Sequence, residues 1–317
     1  MTRLEKCSTG GTLYKYTEYG TRSKINSTNI FNQVLYSYKM DNNFITVIIT
    51  AYNRKEFLLN AIKSVLNQTL DKKLYEIIVV KNFKDEIIDN FITKNNLKNI
   101  VMEGTIGQFL YTGIKESKGN IISFLDDDDL FLKSKLEYLN YIFSKNERVV
   151  YFHNRVLLIN SEGKQLKNVL IRNPDFNISS ITIRKEIIND DVLISTWTAP
   201  DTLLYILSLD SNKKIIDSNT KLNFYRIHIK NISSNLQWYN EYIEQIKKFY
   251  ILFKNKKVRR LLKFHMLSVN IIVDLREKRR ISFKRTIYYS IFLFINLNKS
   301  LMILVLKHKF AEYINHG

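Results

Sequence analysis

Four consecutive aspartates, Asp126-Asp127-Asp128-Asp129, are the residues of this 317-residue chain whose type and spacing best suit chemistry. Adjacent carboxylates repel one another, and a folded protein that keeps four together needs a counter-charge. A hard divalent cation such as Mg²⁺ or Mn²⁺ supplies one, because such ions take oxygen ligands and share them with substrate phosphates. Held there, the cation would neutralise the negative charge that develops on a diphosphate leaving group. An acidic surface turn or a helix N-terminus accounts for the same run without chemistry, since carboxylates favour the positive end of a helix dipole. Two further residues carry the same ambiguity. Asp201 follows Trp197-Thr198-Ala199-Pro200 and opens an apolar helical stretch, which suits either a helix cap or a second functional carboxylate. His228, between Arg226 and Asn231, suits a site or a strand edge equally well.

The elements around the aspartates decide how to read them. Ile45-Thr46-Val47-Ile48-Ile49-Thr50 is a short β-branched run, as expected of a strand buried on both faces. From Glu56 to Gln68 the apolar residues Phe57, Leu58, Ala61, Ile62, Val65 and Leu66 recur at helical spacing. Tyr75 to Val80 reads as a second buried strand, 87–95 as a helix, 98–102 as a short strand and 107–117 as a helix stopped at Gly119. Ile121-Ile122-Ser123-Phe124-Leu125 is a third strong strand and runs directly into the four aspartates. Strand and helix alternating in this rhythm predict a mainly parallel α/β sheet with helices on both faces. In such sheets ligands collect at the carboxyl ends of the strands. Tyr52-Asn53-Arg54, Lys81-Asn82 and Asp126 to Asp129 all fall at such ends, so three strand ends are expected to line one crevice.

The second half is less regular. Residues 148–159 read as a strand or strand pair, 178–184 as a strand, 201–209 as a helix and 223–228 as a late strand, with basic helices after Gln237. The expected organisation is an extension at 1–43, irregular or hairpin-forming, a catalytic domain at 44–236 and a basic helical region at 237–317.

In this order the residues resemble the inverting family-2 glycosyltransferases of the GT-A fold. The resemblance runs from Phe44 to Ser234. Val47-Ile48-Ile49-Thr50-Ala51-Tyr52-Asn53-Arg54 is similar to that family's first strand and loop, and Ala61 to Thr69 to its first helix with the closing Gln-Thr. Glu76 to Val80 matches the second strand, and Gly113 through Asp129 matches the helix, strand and DxD motif. The resemblance implies a metal-dependent transferase that moves a sugar from a UDP- or GDP-sugar to a hydroxyl on a glycan or lipid-linked glycan. It implies Asp126 at the ribose or the metal's water shell, Asp128 as metal ligand, and His228 beside them in the metal set. Thr50, Ala51, Tyr52, Asn53, Arg54, Asn82, Asp126, Asp127 and Arg226 are implied to hold the nucleotide sugar. Asp201 best fits the family's catalytic base, which deprotonates the acceptor hydroxyl. The chain departs from the family's pattern at Lys81-Asn82, where an acidic pair is usual, at Leu110-Tyr111-Thr112, and at Pro200-Asp201, which keeps one acid of a pair.

Composition narrows the alternatives. Hydrophobic residues make up 45% and charged residues 25%, as for a globular body. The single cysteine, Cys7, excludes an intrachain disulfide and a thiolate zinc cluster and is compatible with a reducing compartment. The net charge of +19 is concentrated after Gln245, where 17 Lys plus Arg face 3 Asp plus Glu, a balance of +14. Such a tail fits an anionic membrane surface, a nucleic acid, or a basic helical cap on the catalytic domain. Tyr288, Tyr289 and Phe292 are the aromatic residues available to a headgroup zone. No zinc-ligand spacing or recognised nucleic-acid motif accompanies the basic residues, and no nucleic-acid partner is expected. A Gly-rich phosphate loop, usual in nucleotidyltransferases, is missing at Thr50-Ala51-Tyr52-Asn53. A degenerate, non-catalytic homologue is the remaining alternative. No long apolar run opens the chain, and Asn296, Asn298, Lys299 and Ser300 interrupt the apolar stretch 286–306. The expectation is a cytoplasmic protein, peripheral at most to the inner membrane face.

Overall fold

The computed structural model describes residues 14–16, 22–24, 43–167, 175–228, 236–276 and 283–295. Strands β1 (Tyr14–Tyr16) and β2 (Arg22–Lys24) form an antiparallel pair of their own within the N-terminal extension. Next come β3 (Ile45–Ala51), α1 (Leu58–Leu66), β4 (Tyr75–Lys81), α2 (Glu86–Lys94), β5 (Lys98–Val101), α3 (Ile106–Lys115) and β6 (Ile121–Asp126). The chain continues through β7 (Leu130–Phe131), α4 (Lys135–Lys145), β8 (Val149–Ile159), β9 (Gln165–Leu166), β10 (Ile181–Arg184), α5 (Asp190–Ile194), α6 (Pro200–Asp210) and β11 (Lys214–Arg226). Three helices follow: α7 (Leu236–Leu252), α8 (Lys256–Arg276) and α9 (Phe283–Ile295).

β3 to β11 build one nine-stranded sheet in the order β5-β4-β3-β6-β10-β8-β11-β7, with β9 paired to β8. The first four strands in that order are parallel, as the strand–helix alternation requires. Beyond β6 the sheet becomes mixed, because β10 is antiparallel to both neighbours and β7 is antiparallel to β11. The expectation of a mainly parallel sheet therefore describes its first half. Alternation along the strands divides the core in two. Val47, Ile49, Ile77 and Val79 pack with α1, α2 and α4 on one face. Ile48, Ile78, Val80 and Phe124 pack with α3, α5 and α6 on the other.

Local chemistry sets the helix starts. Asp85 caps α2 by accepting from the Ile88 amide at 3.1 Å, and Thr105 with Gln108 forms a reciprocal capping box at α3. Gly107 is required just inside that helix: a Cβ there would lie 2.1 Å from the Leu193 carbonyl oxygen. Helix α4 lies outside the expected elements, although Leu136, Leu139 and Phe143 recur at helical spacing and form its buried face. Of the stretch 178–184, the first three residues form a 3-10 turn and the strand begins only at Ile181. The late strand expected at 223–228 begins nine residues earlier, at Lys214, and ends at Arg226, leaving His228 beyond it.

The C-terminal helices continue the sheet's core. Tyr242, Ile243, Ile246 and Phe249 of α7 and Val258, Leu262, Val269 and Val273 of α8 join the cluster that contains Ile48, Val80 and Phe124. Tyr289 of α9 is buried with its hydroxyl donating to Asp274, and Phe292 stacks on Phe264. These two aromatics therefore face the protein, and of the three headgroup candidates only Tyr288 is exposed. The stretch 296–306 lies outside the described residues.

Candidate active site

The parallel register brings three strand ends level. Thr50 on β3 pairs with Asp126 on β6, and Ala51 pairs with Lys81 on β4. Past these ends the chain turns out of the sheet at Asn53, whose φ of 52° lies in the left-handed region that asparagine tolerates. The amide of Asn53 donates to the Asn82 side-chain oxygen and the Asn82 side-chain amide donates to Asn53, both at 2.8 Å. Asn53 and Asn82 thus tie the first two strand ends together at the crevice wall. Lys81 points away from it, buried and paired with Asp89 at 2.8 Å. Tyr52 is exposed at the rim, with its ring tilted against Phe109.

The third strand end carries the acidic loop. Asp126, Asp128 and Asp129 each bring a carboxylate oxygen within 4.8 Å of the others. Asp127 turns to Arg54, which grips it with both Nε and Nη2. The same guanidinium reaches Asp128 at 2.8 Å, and Nε2 of His228 lies 2.8 Å from the same Asp128 oxygen. The third member of the carboxylate set is therefore Asp129, while His228 touches Asp128. Only the four-aspartate run itself hinted at Asp129.

Two buried basic side chains hold this loop from behind. Arg226 donates its amide to Asp129 and its Nε to the Asp128 carbonyl, and its Nη1 reaches the carbonyls of Asn160 and Ser161. Its guanidinium also sits 4.4 Å from the Phe57 ring centroid. Lys135 is fully buried and donates to the Ser179 carbonyl, while the Ser179 hydroxyl accepts from the Asp126 amide at 3.0 Å. Burial holds the Lys135 ammonium well below its ordinary range, with Asp129 pulling the other way. Neither Ser179 nor Lys135 carries a motif that could have singled it out.

Electrostatics set this loop apart from an ordinary acidic turn. Desolvation, followed by the charges of its neighbouring aspartates, pushes Asp126 and Asp129 well above the usual carboxylate range. Asp127 rises to about 6, chiefly through burial, despite its hydrogen bonds to Arg54. Burial pulls Arg54 down, but its hydrogen bond to Asp127 and the charges of Asp128, Asp127 and Asp126 outweigh this and raise it. Asp129 Oδ2 is buried without a hydrogen-bond partner. Three converging carboxylates, mutual repulsion and an orphaned buried oxygen fit a divalent cation, which offers the missing charge and the missing partner.

Asp201 belongs to a second constellation. Ala199 adopts left-handed backbone (φ 49°, ψ 55°), Pro200 opens α6, and Asp201 follows in its first turn. Its carboxylate accepts from the Thr202 amide at 2.6 Å. Desolvation nevertheless raises it to about 6, the hydrogen bonds from Thr202 offsetting only part of the effect. The expected helix cap is thus not formed: the N-cap is Ala199, which makes no side-chain cap bond, and Asp201 stands inside the first turn as a desolvated carboxylate. Trp197, 37% exposed, precedes it, anchored through its amide to Gln245 with Lys248 over its ring. Asn231, on the far side of His228 in the sequence, lies outside the described residues.

Comparison with known proteins agrees with this arrangement. The family model "Glycosyl transferase family 2" matches residues 46–194. An uncharacterized glycosyltransferase of Rickettsia bellii is 33% identical over 148 residues, covering 45% of this chain and 20% of the relative. The chain thus spans about a fifth of that relative's length. Poly(ribitol-phosphate) beta-N-acetylglucosaminyltransferase TarP of Staphylococcus aureus is 26% identical over 251 residues, 71% of this chain and 76% of TarP. Among solved structures, S. aureus TarS 1-349 in complex with UDP-GlcNAc superposes with a TM-score of 0.56 at 13% identity, covering 79% of each chain. Residues 46–194 thus carry the sequence pattern of glycosyltransferase family 2, and the α/β body has the GT-A fold.

Proposed function

We propose that the protein transfers a sugar from a nucleoside-diphosphate sugar to a hydroxyl of a glycan or lipid-linked glycan, with inversion at the anomeric carbon. The observation that carries this reading is the carboxylate trio Asp126, Asp128 and Asp129, gathered at a parallel strand end with one oxygen unpartnered. Asp128, Asp126 and Asp129 would hold a divalent cation, Mn²⁺ or Mg²⁺, with His228 steadying Asp128. When bound, that cation supplies positive charge against the diphosphate leaving group. The TarS complex with UDP-GlcNAc supports a UDP-sugar as donor.

This chain's own residues divide the remaining work. The loop Thr50 to Arg54 and Asn82 wall the crevice at the level of the nucleotide, with the Asn53–Asn82 pair offering amide edges to a base. Arg54 bridges Asp127 and Asp128 and so fixes the loop's shape, with Asp128 placed among the carboxylates that would hold a cation. Arg226 holds the main chain of the acidic loop, so its contribution to the pyrophosphate side acts through Asp128 and Asp129. Asp201, with a carboxylate poised near neutrality, takes the proton from the acceptor hydroxyl as that oxygen attacks. Trp197 beside it offers an exposed aromatic face to an acceptor.

Calorimetric titration with UDP and with GDP, each with and without Mn²⁺, tests the reading. Metal-dependent binding of one nucleotide, abolished in Asp128→Asn, is expected and names the base. Failure of both nucleotides to bind with Mn²⁺ present would sink the transferase reading in favour of a non-catalytic homologue.

A further inference from the structure

Among its described side chains, helix α9 meets the body of the protein through one side. Thr286 and Tyr289 are buried, Tyr289 donates to Asp274 of α8 at 3.1 Å, and Phe292 stacks on Phe264 with ring centroids 5.4 Å apart. The opposite side carries Phe283, Ile287, Tyr288 and Ile291, which are 72%, 45%, 53% and 55% exposed. Positions 283, 287 and 291 are four apart, so on an α-helix they form one apolar stripe about 12 Å long. Apolar residues scattered singly on a surface need no explanation, but four large ones within nine residues of one helix mark an interaction surface.

Charge selects the partner. The region from Gln245 onward carries a balance of +14, and Lys284 is exposed beside the stripe. Two copies of so basic a region repel each other, which disfavours self-association through it. A polyanion such as a phosphodiester chain would match the charge but leave the stripe in water. A bilayer with anionic headgroups satisfies both features. Its boundary region takes up the apolar side chains, its phosphates meet the basic ones, and a tyrosine at the rim suits the interface. We propose that the outer face of α9 docks the protein onto an anionic lipid surface. The attachment is peripheral, since among the described residues no helix is long and apolar enough to cross a membrane. It does not depend on the transferase reading, because none of the four residues belongs to the crevice.

Vesicle flotation of the full chain tests this. The chain should float with phosphatidylcholine vesicles containing about 30 mol % phosphatidylglycerol at about 150 mM salt, and at least about tenfold less with pure phosphatidylcholine. The triple variant Phe283→Ser, Ile287→Ser, Ile291→Ser should lose at least about tenfold in partitioning to the anionic vesicles. Its thermal midpoint should stay unchanged, because the substituted side chains face solvent, and its UDP or GDP titration should match the parent. Absence of flotation with anionic vesicles overturns the proposal. So does a triple variant that floats like its parent, which would assign binding to charge elsewhere. Sedimentation showing a parent dimer that the triple substitution dissociates, with vesicle binding unaltered, would give the stripe to a second copy and equally overturn it.

Discussion

At the scale of single residues, the proposed role of Asp201 would join function and stability through one proton. Its carboxylate is raised by burial to about 6 in the folded protein, against 3.8 for an unperturbed side chain. The folded state therefore binds the proton more tightly than the unfolded state, and stability falls as pH rises from about 4 to about 6. Above that window the charged, desolvated carboxylate costs up to about 3 kcal/mol, an upper bound because the side chain is only half-buried. Asp201→Asn removes this cost. The variant is expected to be more stable than the parent at pH 7 to 8 and level with it near pH 4, as read by urea denaturation across pH. Its turnover should fall by about 10²- to 10⁴-fold, the usual contribution of a general base. The parent's kcat/KM should decline below about pH 6, where the base becomes protonated. A variant that loses stability at neutral pH while keeping its turnover would reduce Asp201 to a favourable charge in the first turn of α6. The run Asp126 to Asp129 announces itself in the sequence as a carboxylate cluster, whereas Asp201 is singled out only through the family resemblance. The supports of the acidic loop were not legible there, since Ser179 meets Asp126 only once β10 has paired antiparallel to β6.

At the scale of elements, the site depends on how closely α3 approaches the segment that leads to Asp201. The Gly107 amide donates to the Thr196 carbonyl at 3.0 Å, and a Cβ at this glycine would lie 2.1 Å from the Leu193 oxygen and 2.4 Å from the Thr196 oxygen. Both obstacles are main chain, so Gly107→Ala must displace residues 193–196 and with them Trp197 and Asp201. The expected cost is about 1–3 kcal/mol of stability, with a loss of kcat that exceeds the unfolded fraction at the assay temperature. Gly113→Ala is the control. Its Cβ would meet the Ile48 side chain at 2.8 Å, which perturbs the core without pushing the catalytic segment. Equal kcat losses in the two variants would refute the coupling. Elements with strong periodicity, such as β3, β4, β6 and α1, lay within a residue or two of where the sequence placed them, because burial on both sheet faces writes continuous apolar runs. The mixed half of the sheet was less legible. Most residues in the first half of β11 are at least partly exposed, as expected of a strand with one polar face, so Lys214 to Lys221 carried no apolar run to mark them as strand.

At the scale of the whole molecule, the family match ends at residue 194 but the hydrophobic core does not. Phe249 of α7 is fully buried, packs edge-on against Phe253, and belongs to the same cluster as Ile48, Val80 and Phe124 beneath the acidic strand end. Leu262 and Ile271 of α8 are likewise fully buried, so α8 turns apolar residues toward the sheet, while α7 leaves Ile251 and Leu252 exposed at its C-terminal end. Gln245 of α7 also accepts from the Trp197 amide, which ties this layer to the approach to Asp201. If α7 and α8 complete the core, Phe249→Ala should leave a cavity under the sheet and cost about 3–5 kcal/mol, the range for a buried aromatic. The loss should appear in a single unfolding transition that moves as a whole, because one shared core unfolds cooperatively. Two transitions in the parent, with only the weaker one shifted by Phe249→Ala, would instead make the helices a separate unit resting on the sheet. The distinction reaches function: in a shared core, a binding event at α9 and the position of Trp197 are linked through the same packed layer, whereas in a separable one they are not.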